Sequence, residues 1–156
     1  MKKFEMILVI GAVIGLLMAL FNTPLDSLIV SVFFIVLSCL YFCFGFALFN
    51  NIPFLKIFKA DSYKGIGTWK ILIAIGTGLA LSILTIGYMF SILNYPMAKT
   101  LLVVGLALTA IIIILALIKN AQEKELFYRN IILRSFVFLI IAVIFLFLPG
   151  HIFNAP

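Results

Sequence analysis

The chain has 156 residues, of which 66% are hydrophobic and 10% charged, with a mean hydropathy of +1.36. A water-soluble domain of this size cannot hide that much apolar side chain, so lipid must be part of its solvent. The net charge of +6 falls beside apolar runs, where membrane orientation and anionic headgroups account for it and nucleic acid is not an expected partner.

A helix crosses a bilayer with about 20 apolar residues, and five segments meet that length. They are Phe4–Phe21, Leu28–Phe49, Trp69–Leu93, Thr100–Ile118 and Ile131–Leu148. The expected fold is therefore all-α: a polytopic transmembrane bundle of five helices in a single membrane domain, residues 1–156. The first span follows Lys2 and Lys3 as a signal peptide would, but Met18-Ala19-Leu20-Phe21 is a poor cleavage site, and the segment is read as a retained helix. Glu5 and Arg134 lie near span ends, where side chains snorkel to the headgroups, with Lys2 and Lys3 as interfacial partners for Glu5.

The first external turn reads Phe21-Asn22-Thr23-Pro24-Leu25 and the third connection reads Leu93-Asn94-Tyr95-Pro96-Met97. Asn tolerates the left-handed conformation at a helix end, and Pro stops the old helix with a φ that suits the first turn of the next. At an offset of 72 residues Gly15 falls on Gly87, Asn22 on Asn94 and Pro24 on Pro96. This spacing predicts a duplicated hairpin: repeat one over about 5–49, repeat two over about 69–118, and a closing helix over about 131–148. Both copies run in the same direction, so a two-fold axis along the membrane normal would relate them. Asp26, after the first turn, reads as a helix-starting carboxylate.

Cys39 and Cys43 share one face of the second helix at i, i+4 and read as small packing residues, not as a redox or zinc pair. In the second connection Asn50-Asn51-Ile52-Pro53 reads as a helix stop and restart. The following Phe54–Lys59 stretch mixes bulky apolar residues with lysines, as a short interfacial helix does, and Trp69 reads as an interfacial anchor. A docking surface for a cytoplasmic partner is the alternative for this stretch. The fourth connection, with Glu123-Lys124-Glu125, reads as a solvated helix extension, and His151 as a solvated tail residue.

Ten of the 11 basic residues fall on one side of this five-span alternation: Lys2 and Lys3, then Lys56, Lys59, Lys64 and Lys70, then Lys119, Lys124, Arg129 and Arg134. Lys99 alone is opposite. The positive-inside rule places the N-terminus in the cytoplasm and the C-terminus outside, with insertion in a bacterial inner membrane.

Gly11 and Gly15 form a GxxxG pair, and Ala74, Gly78 and Ser82 continue small-residue spacing along the third helix. Such faces let backbones approach closely. They predict packing of the first helix on the third or of each on its hairpin partner, with association to another subunit or a second copy as the alternative. Gly76-Thr77-Gly78 lies inside a span and has no phosphate-binding context. The hydroxyls of Ser31, Ser38, Thr77, Ser82, Thr85 and Thr109 are uncharged and read as packing or backbone-bonding groups. With no carboxylate dyad, triad or metal set, neither an enzymatic reaction nor a cofactor is expected.

The repeated Asn-x-Pro turn between a Gly-containing helix and a second apolar helix resembles the N-terminal membrane hairpin of the gliding motility protein GldL-like family, over about 5–48 and again over about 73–118. The resemblance implies a related membrane fold and a place near gliding or type IX secretion assemblies. That family's turn has Lys and His before Pro and Gly after it; here those positions are Ala19, Asn22 and Leu25, then Ser91, Asn94 and Met97. Its motor member needs an acidic residue within the second helix, which this chain lacks, so proton coupling does not carry over. The expected role is a non-catalytic membrane subunit or scaffold accessory to an envelope assembly; a small transporter or channel built from the two hairpins is the alternative.

Overall fold

A computed structural model describes residues 1–57 and 65–147. They form five long helices: α1 (Lys2–Leu20), α2 (Asp26–Phe49), α3 (Thr68–Ile92), α4 (Ala98–Glu123) and α5 (Leu126–Phe147), with one 3₁₀ turn at Phe54–Lys56. All five are long and apolar enough to cross a membrane. Lipid offers no hydrogen bonds to a bare backbone, so an uninterrupted apolar run there must satisfy itself as a helix. The helices outrun the apolar segments by up to five residues, because charged flanks such as Lys119–Glu123 and Leu126–Asn130 continue the helix into polar surroundings.

Three helices end in the same way. Asn22, Asn51 and Asn94 each follow the last helical turn with φ of 47°, 57° and 53°. In each case the Asn N–H bonds back to the second-last helical residue and the next N–H to the third-last: Asn22 to Ala19 and Thr23 to Met18, Asn51 to Leu48 and Ile52 to Ala47, Asn94 to Ser91 and Tyr95 to Phe90. These are Schellman caps, and a proline follows each one. Asn-x-Pro is thus a helix stop, used at both ends of α2's hairpin partnership as well as after α3.

Pro24 and Pro96 do not enter the first turn of the next helix. Each instead opens a reverse turn, in which Leu25 (φ 72°) and Met97 (φ 68°) take the left-handed position immediately before α2 and α4. In the first of them Asp26 N–H donates to Thr23 O at 3.3 Å, a type II turn with Leu where Gly is usual. Pro53 precedes the 3₁₀ turn, accepting from Lys56 N–H at 2.9 Å. Only Phe54–Lys56 of the expected interfacial helix lies in that turn; Lys59 and Lys64 fall outside the described residues, as do Leu148 and His151.

α3 is the centre of the bundle. It packs against α2, α4 and α5, while α1 lies on α2 and α5 closes on α4. Its most apolar stretch is 61% buried, against 22% for α4 and α5, whose outer faces expose Val103, Ile111, Ile114, Leu133, Phe136 and Ile144 to the surroundings. Such apolar cladding fits a bilayer.

The tightest approach is between α2 and α3. A Cβ on Gly78 would lie 2.5 Å from the carbonyl oxygen of Tyr41, and one on Gly45 would lie 2.8 Å from Gly78 Cα. Both obstacles are backbone, so neither can swing away, and only glycine fits. Gly11 instead receives the ring of Phe33, and Gly15 meets the backbone of Val30 at 3.3 Å, both on α2. In the second hairpin Gly87 meets Leu102 N at the same 3.3 Å, and residues 87 and 102 stand 72 positions after 15 and 30. The glycines of α1 therefore serve its hairpin partner, whereas Gly78 and Ser82 serve α2, and Ala74 is fully buried.

Candidate functional site

The one charged side chain buried in the described residues is Glu5, at 7% exposure. It sits in the first turn of α1, where the helix dipole favours a carboxylate. Its Oε1 accepts from Arg134 Nη1 of α5 at 2.7 Å and from Tyr41 OH of α2 at 2.8 Å. The Arg134 guanidinium also lies 5.3 Å from the ring centroid of Phe49 on α2. One carboxylate thus ties together side chains of three helices, α1, α2 and α5.

This corrects the expectation that Glu5 and Arg134 each reach for headgroups and that Lys2 and Lys3 serve Glu5. Arg134 stands five residues beyond Arg129 on α5, about 7 Å deeper into the bundle. At that depth an unpaired guanidinium would have to extend its whole stem back to water. Turning inward to a carboxylate costs less, because each charge neutralises the other within a charge-assisted hydrogen bond. The two residues lie 129 positions apart, so no local pattern announces the pair.

Aromatic contacts continue inward from it. Tyr41 meets Phe138 of α5 edge-on, with centroids 5.7 Å apart, and Tyr88 of α3 flanks the same ring at 6.2 Å. The Tyr88 hydroxyl donates to the Phe138 carbonyl at 2.6 Å, which satisfies a phenol in an apolar interior. Beside it on α5, Ser135 Oγ is buried with no hydrogen-bond partner.

The interior hydroxyls behave as backbone-bonding groups. Thr77, Thr85 and Thr109 donate to the carbonyls of Ile73, Leu81 and Gly105, four residues earlier, at 2.6–2.7 Å. Ser31 does the same to Ser27 at an exposed position. Ser38 and Ser82 form a hydroxyl pair between helices, with oxygens 2.8 Å apart near the Gly45–Gly78 approach of α2 and α3. Asp26 opens α2 and accepts from the Ser27 N–H.

The basic end of the bundle is more than a solvated rim. Lys70 of α3 pairs with Glu125 at 2.6 Å, and Tyr128 of α5 donates to Glu123 of α4 at 2.9 Å. Lys119 lies 3.8 Å from Glu123 and 4.8 Å from the Trp69 ring centroid. The Glu123-Lys124-Glu125 connection extends α4 with exposed charges as expected, and its two carboxylates in addition reach side chains of α3 and α5. The reason is its brevity: Lys124, at φ 49°, turns the chain so sharply that Glu123 and Glu125 remain over the bundle. Lys2, Lys3, Lys56, Lys124 and Arg129 are exposed.

Cys39 and Cys43 share a face as expected, but that face is exposed, so they do not pack the interior. Their neighbours Val32, Val36 and Phe42 are exposed too, because the opposite face of α2 is the one drawn against α3 by Tyr41 and Gly45. Among the described residues no three His, Cys, Asp or Glu side chains cluster as a metal set would.

The sequence pattern located the small residues of α1 and α3 and both Asn-x-Pro turns at Asn22 and Asn94. It missed Gly45, and it missed the Glu5–Arg134–Tyr41 centre. A charge at the margin of an apolar run was the available signal for that centre, and two such charges of opposite sign were present. Comparisons with protein-family models, with curated proteins and with solved structures give no match.

Proposed function

We propose that this chain is a non-catalytic integral membrane subunit, a helical scaffold whose basic end faces the cytoplasm from a bacterial inner membrane. The observation that supports it is how the bundle uses its polar groups. Among the described residues the one buried charge is committed to joining α1, α2 and α5, and Thr77, Thr85 and Thr109 are committed to their own helices. Groups arranged in this way hold helices together. They leave little to convert a substrate.

The resemblance to GldL-like membrane hairpins is what supports a place for the scaffold in an envelope assembly related to gliding or type IX secretion. The matching Gly15–Val30 and Gly87–Leu102 approaches are in keeping with descent by hairpin duplication. The orientation rests on the lysine and arginine asymmetry. The test is extraction of the native-level protein in mild detergent, followed by mass spectrometry of the intact complex. Co-purifying envelope components at fixed stoichiometry are expected, and a monodisperse lone protomer would overturn the scaffold reading. The transporter reading requires flux in reconstituted vesicles, and none is expected for protons or common inorganic ions.

A further inference from the structure

α1 and α5 bring few of their backbone atoms close, and the Glu5–Arg134 pair is a direct polar link between them. Along their seam lie two clefts that share Val137 and Phe138 of α5. The first, of about 400 Å³, opens at the basic end between the start of α1, the end of α2 and α5. Its polar wall consists of Lys2, Asn51, Asn130 and Arg134, and no carboxylate lines it. The second, of about 200 Å³, continues toward mid-bundle between Val9 and Val13 of α1 and Ile141 of α5, and its exposed wall is wholly apolar. Val13 and Val137 are each about half exposed, so the seam is open sideways, along the face that fits lipid.

We propose that this seam binds one acidic phospholipid from the leaflet at the basic end. Its phosphate lies among Lys2, Asn51, Asn130 and Arg134, and an acyl chain follows Val137 into the apolar cleft. The order of chemistry along the seam is that of a lipid: cations and amide donors at headgroup depth, then hydrocarbon. One Arg134 nitrogen is held by Glu5, but a guanidinium carries five N–H donors, and Arg134 is among the residues that line the cleft. With Lys2 and Arg134 set against Glu5, the local balance stays positive, which selects an anionic headgroup over a zwitterionic one. An acidic lipid also fills a seam that the helices leave unzipped, completing the bundle between its first and last spans.

The test uses the full chain in mixed vesicles of phosphatidylglycerol and phosphatidylcholine, transferred to detergent and weighed intact. One phosphatidylglycerol per protomer is expected to be retained, by at least about tenfold over phosphatidylcholine. Lys2→Glu with Asn130→Asp, both exposed positions, is expected to abolish that preference, whereas Lys99→Glu at the opposite end keeps it. Excess inorganic phosphate is expected to displace nothing. Equal retention of the two lipids, unchanged preference in the double variant, or displacement by phosphate would each overturn the proposal. So would a second polypeptide captured by a photoreactive group at Val13. Because the readout belongs to a single protomer, it stands or falls independently of whether partner subunits are found.

Discussion

The Glu5–Arg134 pair offers the sharpest test of how this bundle is held. The Glu5 side chain is 9% exposed and that of Arg134 29% exposed, so the two charges are not equally trapped. Arg134→Gln leaves a carboxylate inside the bundle with only the Tyr41 hydroxyl for support, which costs about 3–5 kcal/mol by analogy with broken buried pairs. Glu5→Gln retains an acceptor for Tyr41 and releases a guanidinium that already lies over the Phe49 ring, on a residue that lines the cleft. Its cost is about 1–2 kcal/mol, that of a lost charged hydrogen bond. The double variant removes both charges and should be less destabilised than Arg134→Gln alone, because no uncompensated ion is left. Reversible unfolding in mixed detergent micelles, run as a double-mutant cycle, measures all four species. Equal losses in the two single variants, or losses that add within about 0.5 kcal/mol, would refute the reasoning.

Three other outcomes follow from the packing. Gly78→Ala and Gly45→Ala should each lose about 1–3 kcal/mol in the same assay, since their new methyl groups meet backbone, whereas Gly67→Ala, with no atom near its Cβ, should stay within about 0.5 kcal/mol. Leu25→Gly and Met97→Gly should each stabilise the protein by about 1 kcal/mol, because both residues are exposed and both hold a left-handed φ that costs an L side chain about that much. A loss of stability there would mean that the side chains pack against something. Replacing Cys39 and Cys43 together by Ala should leave stability within about 0.5 kcal/mol, as suits exposed positions; a loss above 2 kcal/mol would return them to the interior.

Much of the architecture is legible in the amino-acid order because lipid leaves a chain so few choices. A run such as Ile71–Ile92 has no partner for its backbone except itself, so length and hydropathy suffice to place α3 as a span. Asn22, Asn51 and Asn94 stop their helices through local dihedral preference, and local signals of that kind survive without knowledge of the fold. The direction a helix face points is another matter. Every face of these spans is apolar, so periodicity does not tell lipid from core, and Cys39 reads as a packing residue although it faces outward.

Only the tertiary structure decided which small residues meet. Gly45 gained its role from lying opposite Gly78, and nothing within α2 distinguishes it from a glycine facing lipid. The same holds for the charges. Residue order placed Glu5 and Arg134 at the margins of separate apolar runs, where each alone would extend to the surface. Their pairing required the first and last helices to come together beside Tyr41, 36 residues from one partner and contributed by a third helix. A span is determined by its own solvation, whereas a contact between spans depends on which chains of atoms the whole bundle brings within reach.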